Sequence, residues 1–296
     1  MHPKYNETIN QLKTWAQNEK SIQGVIILGS QVRAEFEGDE WSDLDVLLLA
    51  DTPSDFMQSD NWLDFFGNVV CVVNEETPLD WVNMTWAVKR VLFTDNRAVD
   101  FSILPSDRVD DVLSMNAEIH AFGYEIIYDA HPNMLTVEIE TSLVKVKKVK
   151  EELPKPPTEP ELQQIINNLL FELIFAAKKI KRNELWVAVS AINQQINNRL
   201  LQLIEFHTTS VAKPSQGIRY DGRFLEQRIP QATLEKLPLS FAKYDVFDAI
   251  QTIEHLLEIT YCLSKEICEE QNYLFEAEQF YRTRKLFDEV FEDERM

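Results

Sequence analysis

"GVIILGSQVRAEFEGDEWSDLDVLLLA", residues 24–50, is the stretch whose reading decides the fold. A β-branched run stops at Gly29-Ser30, and a second apolar run opens with Asp43-Leu44-Asp45. Both runs have the length and composition of short strands. "DLDVLLLA" is apolar enough to be buried on both faces. Between them, "SQVRAEF" reads as about two helical turns with Ser30 at the N-cap, and "EGDEWS" as a loop. On a strand, positions i and i+2 share a face, so Asp43 and Asp45 project together. Two carboxylates side by side repel unless a cation lies between them. Hard oxygen ligands of this kind suit Mg2+, which takes one or two carboxylates along with substrate phosphates.

Gly29-Ser30 is the complementary half. Gly29 lets the backbone approach a ligand closely. Ser30, at a helix start, adds a hydroxyl to free N–H groups that favour phosphate. Arg33, one turn on, reaches the same anion. A third carboxylate is expected on an adjacent strand. Asp100, in "AVDFSILP", interrupts an apolar run where a charge is expensive without a partner. It is the candidate base for an attacking hydroxyl, or a further metal ligand. The pattern therefore predicts a nucleoside triphosphate as co-substrate, with Mg2+ as cofactor.

Outward from this centre, residues 5 to 20 read as a helix with Ile9, Leu12, Trp15 and Ala16 on one face. "NVVCVV" is a third strand, with Cys71 as a small buried residue. Strands 86–93 and 98–104 form a hairpin around an Asp-Asn turn, stopped by Pro105. "SDRVDDVLSMN" reads as helical and "GYEIIYDA" as a last strand. The stretch "KVKKVKEELPKPPTEPE" is charged and proline-rich, as connectors are. Beyond Glu161 a 3.6-residue apolar period dominates, predicting a bundle of about four or five helices. The expected fold is α+β: a mixed sheet with helices at 1–144, a linker at 145–160, and an all-helical domain at 161–296.

At 45% hydrophobic and 26% charged, the chain can bury a core. No apolar run approaches the roughly 20 residues that span a bilayer. The N-terminus has no apolar signal-peptide segment, so a cytoplasmic protein without a membrane partner is expected. A net charge of −20 argues against nucleic acid and suits a cationic small molecule. The three cysteines have no metal-ligand spacing. His207 reads as a helix-end or core histidine rather than a base. Nothing in the sequence points to an obligate protein partner.

Gly-Ser, a gap, Asp-x-Asp at a strand start and a third carboxylate downstream resemble the nucleotidyltransferase fold of the DNA polymerase β type. The wider set is similar to the streptomycin 6-adenylyltransferase family of aminoglycoside nucleotidyltransferases. It comprises "LGSQVRAE", "WSDLDVLLLA", "RAVDFSILP", "GYEIIYD", "NELWVAVSAINQQINNRLLQLIEFH" and "GRFLEQRI". The resemblance implies transfer of AMP from ATP to a hydroxyl of streptomycin, with Mg2+ as cofactor. It puts Gly29 and Ser30 on the triphosphate, Asp43 and Asp45 on the metal, and Asp100 as third carboxylate and base. Family members often have Arg directly after Gly-Ser; Gln31 stands there in this chain, with Arg33 two residues on.

Three residues outside the core are candidates for the acceptor site: Trp186 and Glu184 in "NELWVA", and Trp41. An aromatic beside an acidic group suits a sugar-like polycation, the alternative for Trp186 being helix packing. Lys178, Lys179, Lys181 and Arg182 read as a solvated helix end. Two other functions fit the same residues: transfer to a different small molecule or protein hydroxyl, and a non-catalytic nucleotide-binding relative.

Overall fold

The computed structural model describes residues 2–32, 38–79, 84–108, 124–131, 135, 155–212, 222 and 225–292. The chain divides into two compact units, Met1–Lys150 and Glu151–Met296. The first carries β1 (Ile22–Leu28), β2 (Leu44–Ala50), β3 (Val69–Leu79), β4 (Met84–Phe93), β5 (Ala98–Pro105) and β6 (Glu125–Asp129). They form one six-stranded sheet in the order β3-β4-β5-β2-β1-β6. β2 and β5 run parallel, and the other described pairings are antiparallel.

The alternation along β2 explains the layering. Leu44, Val46, Leu48 and Ala50 pack into the larger core with Ile9, Leu12, Trp15 and Ala16 of helix α1 (Asn6–Asn18). Phe56 of α2 (Pro53–Gln58), Trp62 and Phe66 complete that layer, with Trp15 stacked on Trp62 at 5.3 Å between ring centroids. Leu47 and Leu49 point to the other face, where a smaller cluster holds Ile26, Leu104 and Leu135. β2 is thus buried on both faces, as its unbroken apolar run requires. At the hairpin tip, Asn96 takes the left-handed conformation its turn needs (φ 65°).

Two local expectations are corrected. Cys71 is exposed, not buried. β3 is an edge strand, and a register shift between Val69 and Cys71 leaves Val70 and Val73 exposed as well. Ser30 is not the N-cap of a helix: Gly29–Gln31 form a single 3-10 turn, with Ser30 inside it. The left-handed Gly29 (φ 70°) turns the chain straight off the end of β1. Residues 33–37 of the expected helix, Arg33 among them, lie outside the described residues. So do most of "SDRVDDVLSMN" and the connector up to residue 154.

The second unit is helical: α3 (Glu159–Lys181), α4 (Leu185–Ser190), α5 (Asn197–His207), α6 (Gln231–Leu234), α7 (Val246–Gln271) and α8 (Ala277–Val290). α3 begins at Glu159 because Thr158 caps it. The Glu161 carboxylate accepts from both the N–H and the hydroxyl of Thr158, at 2.8 and 2.7 Å. Within the apolar-periodic stretch between Trp186 and His207, α4 and α5 are joined by a wide π turn, Ala191–Ile196. There the Asn193 side chain bonds both the N–H and the carbonyl of Ala242, at 2.8 Å each. Asn197 donates to Ser240 O at 3.0 Å. His207 is a buried helix-end histidine, with Nε2 2.6 Å from Glu266.

Burial pushes the Glu205 carboxyl above the usual range. A raised native pKa favours the fold below the unfolded pKa, and that contribution is lost as pH rises through the native value. Glu205→Gln is therefore expected to raise the thermal midpoint at about pH 8 and leave it nearly unchanged at about pH 4. Equal shifts at both pH values would contradict this.

Candidate functional site

Asp45 and Asp100 face each other directly across the parallel β2–β5 pair. Cross-strand partners in one register project to the same face, so the sheet itself brings these carboxylates together. Asp43 precedes β2 by one residue and projects to that face too. One carboxylate oxygen from each of Asp43, Asp45 and Asp100 lies within 4.8 Å of the others, all three half-buried. At such separations each ionised pair repels by on the order of 1 to 3 kcal/mol. Three hard oxygens so placed suit a divalent cation of the Mg2+ or Mn2+ type.

Arg90, on β4, is a neighbour that the sequence reading missed. It pairs with Asp100 in register, and its Nε donates to Asp100 Oδ2 at 3.1 Å. Its Nη1 lies 3.5 Å from Glu75 Oε1. The signal was present: in a hairpin turning at Asp95-Asn96, residue 90 falls opposite residue 100. Burial pushes the Asp100 carboxyl above the usual range; Arg90 opposes that rise, and Asp43 adds to it.

The Gly29 turn lies against this cluster. A Cβ at residue 29 would sit 1.9 Å from Asp45 Oδ2, so only glycine lets the turn and the carboxylate coexist. Ser30 is 3% exposed, and its Oγ has no hydrogen-bond partner among the described residues. Buried hydroxyls are nearly always satisfied, and residues 33–37, which follow this turn, lie outside the described residues. Gly38 closes over the turn, its N–H donating to Ser30 O at 2.8 Å.

Gln31 is 1% exposed. Its Oε1 accepts from the His2 N–H at 3.0 Å and its Nε2 donates to Asp43 O at 3.3 Å. It bridges the N-terminus and the backbone of Asp43 from within the scaffold. Tyr5, wholly buried, reaches Ser42 O at 2.8 Å and Ala98 O at 3.2 Å. Burial pushes its phenol up to about 12, so it keeps its proton and remains a donor.

Trp41 stands in a turn where the Asp39 carboxylate accepts from the N–H groups of Trp41 and Ser42. Its side chain is 75% exposed. In the helical unit Trp186 is 73% exposed and meets the edge of Tyr244 at 6.2 Å, which removes the helix-packing alternative. Glu184 is held by Lys179 at 2.6 Å and Arg182 at 2.7 Å, and the Lys179 hydrogen bond keeps its carboxyl below the usual range. Its charge is thus already largely matched from within the protein.

The family model described as streptomycin adenylyltransferase matches residues 3–289. An aminoglycoside 6-adenylyltransferase from Campylobacter jejuni is 20% identical over 270 residues, covering 88% of this chain and 87% of the relative. One from Bacillus subtilis (strain 168) is 21% identical over 236 residues, covering 77% of each. Among solved structures, an aminoglycoside 6-adenyltransferase from Bacillus subtilis aligns at 16% identity and a TM-score of 0.46, covering 98% of this chain and 99% of that one. A nucleotidyltransferase-like protein from Exiguobacterium sibiricum 255-15 aligns at 12% identity and a TM-score of 0.32, covering 90% and 78%. Because the family model spans almost the whole sequence, the three-aspartate sheet included, this chain belongs to the streptomycin adenylyltransferase family and is a nucleotidyltransferase.

Proposed function

We propose that the chain transfers AMP from ATP to a hydroxyl of an aminoglycoside, streptomycin first among them, with Mg2+ as cofactor, and so confers resistance. The observation that carries the proposal is the convergence of Asp43, Asp45 and Asp100 beside the Gly29 turn in a member of this family. Asp43, Asp45 and Asp100 would hold the cation, which when bound supplies charge neutralisation for the triphosphate and the leaving pyrophosphate. The Gly29 turn brings backbone close to the phosphates, and Ser30 Oγ, which has no hydrogen-bond partner among the described residues, donates to them. Asp100 accepts the acceptor's hydroxyl proton. The freed oxygen forms a bond to the α-phosphorus, the bond from that phosphorus to the bridging oxygen breaks, and pyrophosphate leaves with the electron pair.

A net charge of −20 favours a polycationic acceptor. Trp186, Glu184 and Trp41 remain the proposed acceptor contacts, Trp186 with Tyr244 offering the stronger surface because both rings are exposed. Arg33 is kept as the guanidinium for the triphosphate. No helix among the described residues is long and apolar enough to cross a membrane. A cytoplasmic reaction is part of the proposal, since it would draw on ATP.

The test is pyrophosphate release from ATP and Mg2+ with streptomycin and with a panel of other aminoglycosides. Release is expected with streptomycin. Release with another aminoglycoside alone would replace the acceptor, and silence across the panel would overturn the aminoglycoside assignment.

A further inference from the structure

The sheet register sets Asp45 against Asp100, but it does not set Asp43, which lies outside β2 in the incoming loop. Something else must hold that carboxylate near two like charges. The N-terminal segment makes the contacts that do so. Lys4 Nζ donates to Glu40 O at 2.7 Å and to Asn96 O at 2.9 Å. The Tyr5 hydroxyl carries one proton, shared between Ser42 O at 2.8 Å and Ala98 O at 3.2 Å. The His2 N–H holds Gln31, whose amide holds Asp43 O. Each contact falls on backbone that delivers an aspartate. Residues 40–43 lead to Asp43 and Asp45, and residues 96–98 lead to Asp100.

Lys4 and Tyr5 each join both segments with a single side chain. A residue that only anchored the N-terminus would need one partner. These two staple the entry to β2 onto the entry to β5, at the end of the sheet where the carboxylates lie. Backbone carbonyls are the acceptors, so the staple is indifferent to the side chains of Glu40, Ser42 and Asn96.

We infer that Lys4, Tyr5 and Gln31 form an N-terminal clamp of positioning residues that fixes Asp43 against Asp45 and Asp100 in metal-binding geometry. This rests on the carboxylate assignment proposed above. The clamp touches neither substrate nor metal. Its effect is to keep the three oxygens together before a cation arrives, and loosening it lets Asp43 drift away from its neighbours.

The test is Mn2+ binding to the full chain, by calorimetry or electron paramagnetic resonance, alongside the Mg2+ dependence of transfer. Lys4→Met keeps the stem of a half-buried side chain and removes its two hydrogen bonds. Tyr5→Phe keeps the buried ring and removes the hydroxyl. Both are expected to weaken Mn2+ binding by about tenfold and to raise the half-saturating Mg2+ concentration alike. KM for the acceptor should stay unchanged, and the exposed control Lys13→Met should bind as the parent does. Lys4→Met does not threaten the core, so it decides the matter even if Tyr5→Phe unfolds. Mn2+ affinity within about twofold of the parent in Lys4→Met, with binding lost in Asp43→Asn, would overturn the clamp and leave the carboxylate assignment standing. Full binding in Asp43→Asn would overturn both.

Discussion

Asp43→Asn and Asp45→Asn are each expected to lower AMP transfer about a thousandfold or more, with the protein still folded. Asparagine keeps the size and one acceptor oxygen but removes the charge that a divalent cation needs. Each aspartate supplies one of the three oxygens that lie within 4.8 Å of one another, and among the described residues no fourth carboxylate joins that group. Asp43→Asn should also stabilise the metal-free protein. It removes one member of a mutually repelling trio, which is worth about 1 kcal/mol once the partial exposure of the group is allowed for, or about 2 to 4 °C in the unfolding midpoint. Stability and activity then move in opposite directions, as they do where a site is built from like charges. The measurements are single-turnover transfer and thermal unfolding in chelator. Retained transfer would remove the metal assignment. Lost transfer with a lower midpoint would mean that Asp43 serves the fold instead.

Much of this site was legible because strand geometry is rigid. The i, i+2 spacing at the start of β2 predicts Asp43 and Asp45 on one face, although Asp43 itself precedes the strand, and an isolated aspartate in "AVDFSILP" had to have a reason. What could not be read depended on contacts distant in sequence. Arg90 reaches Asp100 only through the hairpin register. Tyr5 and Lys4 look like ordinary first residues of a helix, and their importance comes from carbonyls 36 to 93 positions away. Gln31 looked like a lost guanidinium because family pattern was the only guide to it. Its burial beside His2 and Asp43 makes it scaffold. Cys71 was misjudged because an apolar run does not say whether its strand is central or at an edge, and β3 is at the edge. The π turn at Ala191–Ile196 was invisible to apolar periodicity, since its cause is Asn193 reaching Ala242.

Gly29→Ala is expected to reduce transfer by about a hundredfold or more, although it adds only a methyl group. Two penalties combine. At φ 70° the residue is left-handed, a conformation that costs a side-chain-bearing residue about 1 to 2 kcal/mol. The new Cβ would also lie 1.9 Å from Asp45 Oδ2, so that carboxylate must rotate away or the turn must shift. Either movement separates Asp45 from Asp43 and Asp100 and withdraws the backbone from the phosphates, and a displacement of about 1 Å is enough for a loss of this size. Gly24→Ala is the matched control on the same strand. Its Cβ would crowd side-chain carbons of Leu135 and Leu49, at 2.7 and 2.9 Å, at normal backbone angles. It should lower the unfolding midpoint while leaving Mn2+ affinity and transfer close to the parent. Gly29→Ala should lose all three. If the two variants lost transfer equally while Gly29→Ala kept full Mn2+ affinity, the turn would matter for folding alone, and Gly29 would have no part in holding the carboxylates or the triphosphate.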